Sequence, residues 1–220
     1  MTKSCGEPMI TQQEPLRVHV ARAVGVPTLL RATRQNWPIL VGYHGVCRDE
    51  EWRDWDTSDL VAESTFRRHL ELYRRHYHVV PLKHMADVLA GRRHDLPPRA
   101  LAITFDDGYR NNFRVALPAL RDFGFPVTFF CCTGFLDGLT DLWWLPFKRA
   151  ILAARQVGRA VQLPGLEPLD VSSHQASYAA YGRILNVVRE MPAERRAVVI
   201  RQLDLRGTEG VLRDVYAPMT

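Results

Sequence analysis

The stretch Ala100-Leu-Ala-Ile-Thr-Phe-Asp-Asp-Gly-Tyr109 decides how the rest of the chain is read. Its first six residues form a short apolar run that reads as a strand, and Asp106-Asp107-Gly108 punctuates it. A helix follows to about Phe123, with Pro118 early in its main body and Gly124 closing it. Val127-Thr-Phe-Phe-Cys131 is a second strand. Two apolar strands joined by a crossover helix within about 30 residues describe a βαβ unit, and so a parallel pair.

In parallel α/β sheets, ligands sit at the C-terminal ends of strands, in the loops that lead into helices. Two adjacent carboxylates there are costly, because like charges repel and each resists ionising. A divalent cation removes the problem, with one carboxylate on the metal and the other left free as a base. Gly108 lets the chain turn sharply and keeps a side chain out of the space a substrate needs. The alternative is an Asp-Asp-Gly turn that only caps the next helix.

Outward from this unit, Pro38 to His44 is an apolar run bounded by turn signals, consistent with a buried strand. Asp49 to Asp59 is acidic, contains Trp and reads as a loop. Ser64 or Thr65 can cap a helix in which Phe66, Leu70 and Tyr73 recur at i, i+4 and i+7. Val79-Val80 reads as a strand, and a shorter helical stripe of Leu82, Met85, Val88 and Leu89 stops at Gly91. The series β-α-β-α-β-α-β makes the class α/β. Upstream, Leu16 to Gln35 suits a helix interrupted near Gly25 and Pro27. Downstream, Trp143-Trp144 and Phe147 to Ile151 start a helix. Ala160 to Leu163 and Leu169 to Val171 flank Pro164-Gly165 as a small hairpin, and helices are expected at Ser173–Glu190 and Pro192–Leu205. The reading divides the chain into a helical lead-in (1–37), an α/β core (38–138) and a mainly helical insertion (139–220).

Composition narrows the function classes. At 220 residues, 46% hydrophobic and 24% charged, the chain is neither disordered, collagen-like nor a coiled coil. Apolar stretches such as Val127 to Cys132 fall far short of the ~20 residues of a spanning helix. The start MTKSCGEPMITQQEP has no apolar block or cleavage site, so no signal peptide is read and a cytoplasmic protein is expected. The net charge of +5 comes from 26 Arg and 3 Lys against 24 acidic residues. The Arg pairs are scattered, unlike the single basic face that nucleic acid requires. The four cysteines show no CxxC spacing and suit reduced thiols, with Cys131 and Cys132 read as small buried side chains. GxSxG, Walker, GxGxxG and HExxH strings are absent, which argues against the hydrolases and nucleotide binders they mark.

The string Leu101 to Tyr109, followed by Ala116-Leu-Pro-Ala-Leu120 and Phe123-Gly-Phe-Pro-Val-Thr-Phe-Phe130, resembles the first half of a polysaccharide deacetylase of the NodB-type carbohydrate esterases. Val41-Gly-Tyr-His-Gly45 and Asp141-Leu-Trp-Trp144 extend the resemblance over about residues 38 to 144. It implies a distorted (β/α) barrel, here incomplete. It also implies removal of N-acetyl groups from the amino sugars of a polysaccharide or oligosaccharide, and a divalent metal, zinc foremost. Asp106 would be the catalytic base and Asp107 a metal ligand.

The family holds its metal with one Asp and two His from a later His-(Ser/Thr)-x-x-His motif. The eight histidines here (19, 44, 69, 76, 78, 84, 94 and 174) include no two that are four apart. An N-terminal fragment of a longer reading frame, inactive by itself, is the expectation. A non-catalytic glycan-binding relative of the deacetylases is the alternative. A metal phosphoesterase is a further rival, and it would need carboxylates at other strand ends. His44 ends the first strand on the same rim as Asp106 and either faces substrate or packs at the strand end. Tyr109 either lines the cleft or packs over the turn. Trp143-Trp144 is either a sugar platform or an anchor for the insertion. His76 and His78 read as a solvated helix end.

Overall fold

The computed structural model describes residues 37–52, 59–139, 142–205 and 216–219, so the helix expected between Leu16 and Gln35 lies outside the described residues. The chain enters as β1 (Ile39–Tyr43), bends at the single residue His44 and continues as β2 (Gly45–Cys47). The bend hands the chain to a second sheet, in which β2 pairs in parallel with β3 (Leu60–Ala62). Glycine is required at the start of β2. A Cβ on Gly45 would stand 2.6 Å from Leu60 Cδ2 and 2.8 Å from Asn111 Oδ1, closer than side chains pack.

The expected loop after Asp49 begins with one short helical turn, α1 (Asp49–Trp52). β3 was not legible as a strand, being three residues long, and it runs straight into α2 (Glu63–His76). That continuity moves the N-cap position to Ala62, which has no side chain to cap with. The Ser64 hydroxyl instead donates to Asp49 Oδ1 at 2.6 Å, so the expected capping role of Ser64 or Thr65 is replaced by a tie to α1. Phe66, Leu70 and Tyr73 line the buried face of α2, as their spacing requires. Tyr43 anchors the end of β1 to this helix. Its hydroxyl meets that of Tyr73 at 2.6 Å and His69 Nδ1 at 3.1 Å.

After β4 (His78–Val79) and α3 (Leu82–Leu89) comes β5 (Ala100–Phe105), buried at all six positions. One edge of β5 pairs with β1 in parallel, from Ile39 opposite Leu101 to Tyr43 opposite Phe105. The other edge is shared. β4 meets Ala100 and Leu101, while β6 (Thr128–Phe129) meets Thr104 and Phe105. The expected βαβ unit is present, with its connection split into a π-helical turn (Asn112–Ala116) and α4 (Leu117–Phe123). Gly124, at φ +66°, closes α4. These four strands form an open, forked parallel sheet among the described residues, and a closed barrel would need more strands. Cys131 and Cys132 are exposed, contrary to expectation, because β6 stops at Phe129 and leaves them in the connecting segment.

Beyond the short α5 (Thr133–Leu136), helices α6 (Leu145–Gln156), α7 (His174–Val188) and α8 (Ala193–Arg201) share a core with Val161 and Leu169. The expected hairpin is reduced to one antiparallel bridge, in which Val161 and Leu169 exchange two backbone hydrogen bonds of 2.9 Å. Ser173 caps α7, its Oγ accepting from the Ala176 N–H at 3.0 Å. The main core packs Tyr43, Phe66 and Leu70 against Ile103 and Phe105. A third cluster, including Cys47, Leu60, Tyr109, Phe135 and Tyr216, lies behind the loop that follows β5. No helix among the described residues is long and apolar enough to cross a membrane.

Candidate active site

Asp106 leaves β5 while still tied to the neighbouring strand, its N–H donating to the Tyr43 carbonyl at 2.9 Å. The next two residues both have left-handed backbone, Asp107 at φ +69° and Gly108 at φ +79°. Aspartate is among the few non-glycine residues that tolerate this region. Gly108 has a second reason to be glycine, since a Cβ there would crowd Cys131, 3.3 Å from its Sγ and 3.4 Å from its Cα. The turn thereby sends the two carboxylates into different surroundings.

Asp107 Oδ2 lies 3.0 Å from Nδ1 of His44, the exposed residue at the bend between β1 and β2. The Asp107 contact raises the His44 pKa above the ordinary histidine value, and partial burial offsets only part of that rise. For Asp107, burial pushes the pKa up, but the His44 contact and the nearby Tyr109 hydroxyl outweigh it, leaving the carboxyl below its usual range. Each group thus favours the charged form of the other.

Tyr109 takes the packing place of the two considered for it. It is fully buried, edge-on to Tyr216 and Phe135 with ring centroids 5.2 and 6.3 Å away. Its hydroxyl stands near Asp107 without a hydrogen bond of good geometry, and burial drives its pKa far upward. The Arg110 N–H donates to the Ala217 carbonyl at 2.7 Å and the Met219 N–H to the Gly108 carbonyl at 2.9 Å. Residues 217–219 thus brace the loop from outside the sheet.

His44 and Asp107 open onto a cleft of about 280 Å³ that Trp143, Trp144, Asp59 and Tyr181 also line. Asp106 is half-buried beside it and is not among the lining residues. The two indole rings stand at 85° with centroids 5.8 Å apart, and the Arg196 guanidinium covers the Trp143 ring at 4.4 Å. Sequence reasoning brought His44, Asp107 and the Trp pair to this rim and missed Asp59, Lys148 and Tyr181. Lys148 is nevertheless conspicuous in the sequence, as one of three lysines and set between the apolar Phe147 and Ile151. It is buried, 2.5 Å from Asp59 Oδ2 and 2.9 Å from the Tyr216 hydroxyl.

As a metal centre the site is incomplete. Among the described residues no three His, Cys, Asp or Glu side chains converge as a metal ion requires. Asp107 and His44 supply two groups engaged with each other, which does not fit a firmly held zinc ion.

Residues 93–157 match the family model for polysaccharide deacetylase, a span running from before β5 to the end of α6. No curated protein matches the chain. Among solved structures the chain is similar to a de-N-acetylase from Aggregatibacter actinomycetemcomitans. That match has 23% identity over 46% of this chain and 39% of that one, with a TM-score of 0.39. It is also similar to IcaB from Ammonifex degensii, with 25% identity over 54% and 49% and a TM-score of 0.41. Streptococcus pyogenes deacetylase PplD in complex with acetate is 17% identical over 52% and 51%, with a TM-score of 0.38. The chain spans about half or less of the length of each.

Proposed function

We propose that this chain, whose residues 93–157 match the polysaccharide deacetylase family model, supplies the carboxylates of a hydrolase that removes N-acetyl groups from the amino sugars of a polysaccharide. One observation carries the reading: at the end of the central strand, two neighbouring aspartates are separated by a left-handed turn into different environments. Asp107 is committed to His44 at the cleft, while Asp106 is the carboxylate left to accept a proton. Amide hydrolysis needs that division, because a base must deprotonate water while a second group stays ionised and fixed. Under this reading Asp106 is the base, Asp107 the metal ligand, and His44 a group facing the sugar. Tyr109, fully buried, has no contact with substrate under this reading and packs beneath the loop that carries the two aspartates.

A divalent metal, zinc foremost, belongs to the proposal only with ligands beyond the described residues, which do not complete its shell. The closed (β/α) barrel, and the division into lead-in (1–37), core (38–138) and helical insertion (139–220), belong to the same proposal.

The test compares acetate release from an N-acetylglucosamine oligomer by two chains supplied with zinc. One is the 220-residue chain and the other is the same chain extended by the segment encoded after Thr220. The extended chain is expected to release acetate, its Asp106→Asn variant to lose that release, and the 220-residue chain to be silent. Release undiminished by Asp106→Asn would overturn the proposal. A stop codon directly after Thr220 would favour non-catalytic glycan binding instead.

A further inference from the structure

Asp59 and Lys148 come from distant parts of the chain, 89 residues apart, and meet at the wall of the cleft. Lys148 is 5% exposed, and its ammonium has specific partners. It pairs with Asp59 Oδ2 at 2.5 Å, donates to the Tyr216 hydroxyl at 2.9 Å, and faces the Tyr181 and Tyr216 rings at 4.9 and 5.1 Å. Asp59 differs from its partner in that its side chain remains 24% exposed and lines the cleft. Taking an ion pair out of water is costly, and apolar side chains of the same volume usually stabilise a fold as well or better. Stability therefore does not explain a buried lysine here. What the pair does achieve is a carboxylate held in one orientation at a cleft wall.

The other walls fit one class of ligand. Trp143 and Trp144 give aromatic surface at right angles, with Arg196 over one face of Trp143, and His44 and Asp107 stand at the same cleft with Asp59. The apolar face of a sugar ring packs on aromatic surface while its hydroxyls donate to a fixed carboxylate. A cleft of about 280 Å³ is slightly below the usual range for small-molecule sites, about 300–1,000 Å³, and suits a single ring.

We infer that Asp59 is a sugar-hydroxyl acceptor in a ring-binding subsite floored by Trp143 and Trp144, and that Lys148 is its positioning residue. The inference deepens the deacetylase reading and rests on it only for the choice of sugar.

The experiment titrates the 220-residue chain with chitotetraose and, separately, cellotetraose, following tryptophan fluorescence and isothermal heat. Saturable binding is expected, weakened at least tenfold by Asp59→Asn. Lys148→Met should weaken it similarly in the native background and not further in the Asp59→Asn background. Such non-additivity is the signature of a residue acting through Asp59, and a merely structural lysine would not produce it. Circular dichroism on each variant identifies any that fails to fold, and Asp59→Asn, altering a partly exposed group, keeps the test open if Lys148→Met unfolds. Absence of saturable binding by the native chain, or native affinity in Asp59→Asn, would overturn the inference. Binding of both sugars through Asp59, with no acetate released by the extended chain, would sink the deacetylase reading and leave the subsite standing.

Discussion

Asp107 occupies backbone that most side chains avoid, and this makes its substitutions separable. At φ +69° an asparagine is tolerated nearly as well as aspartate, whereas alanine meets the full left-handed penalty of about 1–2 kcal/mol. Asp107→Asn is thus expected to keep the melting temperature within a degree or two, and Asp107→Ala to lower it by several. Asp107→Asn also removes the charge that raises the His44 pKa. In the metal-free chain, NMR titration should find His44 above the ordinary ~6.5 in the native protein and closer to it in the variant. A His44 pKa unmoved by Asp107→Asn would contradict the pairing. The linkage runs in both directions. Raised in the folded state, His44 stabilises below ~6.5 and that contribution fades as pH rises through its folded pKa. Asp107, lowered by the same contact, stabilises above ~3.9 and loses its contribution as pH falls through its folded pKa. Gly108→Ala combines left-handed strain with crowding against Cys131, and should cost about 1–3 kcal/mol by denaturant unfolding.

Among the elements, β5 carries the greatest share of the packing, with partners on both edges and all six side chains buried. Leu101→Ala is expected to cost about 2–5 kcal/mol, and amide exchange should be slowest along this strand. Ile103 in place of Leu101 gives an independent check of the same range. This strand, its βαβ unit and the α2 face were legible because each has a long apolar signal of one period: 2 or continuous for strands, 3.6 for helices. β2 and β3 were not, because three residues carry no period and their pairing depends on contacts more than ten residues away. The site divides in the same way. Asp106 and Asp107 could be found from adjacent chemistry and position, and His44 from its place at a strand end. Asp59 and Lys148 could not be paired in advance, since nothing local distinguishes Asp59 within its acidic loop. The solvent position of Cys131 and Cys132 was misjudged because β6 is cut to Thr128–Phe129, three residues shorter than its apolar run.

For the molecule as a whole, the loop after β5 is a shared boundary: sheet core behind it, helical core beyond the cleft, and residues 216–219 laid across it. Deleting 216–220 removes the buried Tyr216 ring, a hydrogen bond from Lys148, and the braces at Arg110 and Gly108. Loss of a buried aromatic costs about 3–5 kcal/mol, and each backbone bond adds about 1. Thermal melting should therefore drop by ten degrees or more, and an unchanged melt would show that the brace is not needed. The bend at His44 has a different consequence, for chain length. One residue separates two sheets, so the segment contains no slack. Inserting a residue beside His44 would leave β1 in place and shift β2 by one position. Every side chain of β2 would then change face, and a residue with a Cβ would enter the place where Gly45 touches Leu60 and Asn111. At this position the protein should accept changes of residue identity far more readily than any change in the number of residues.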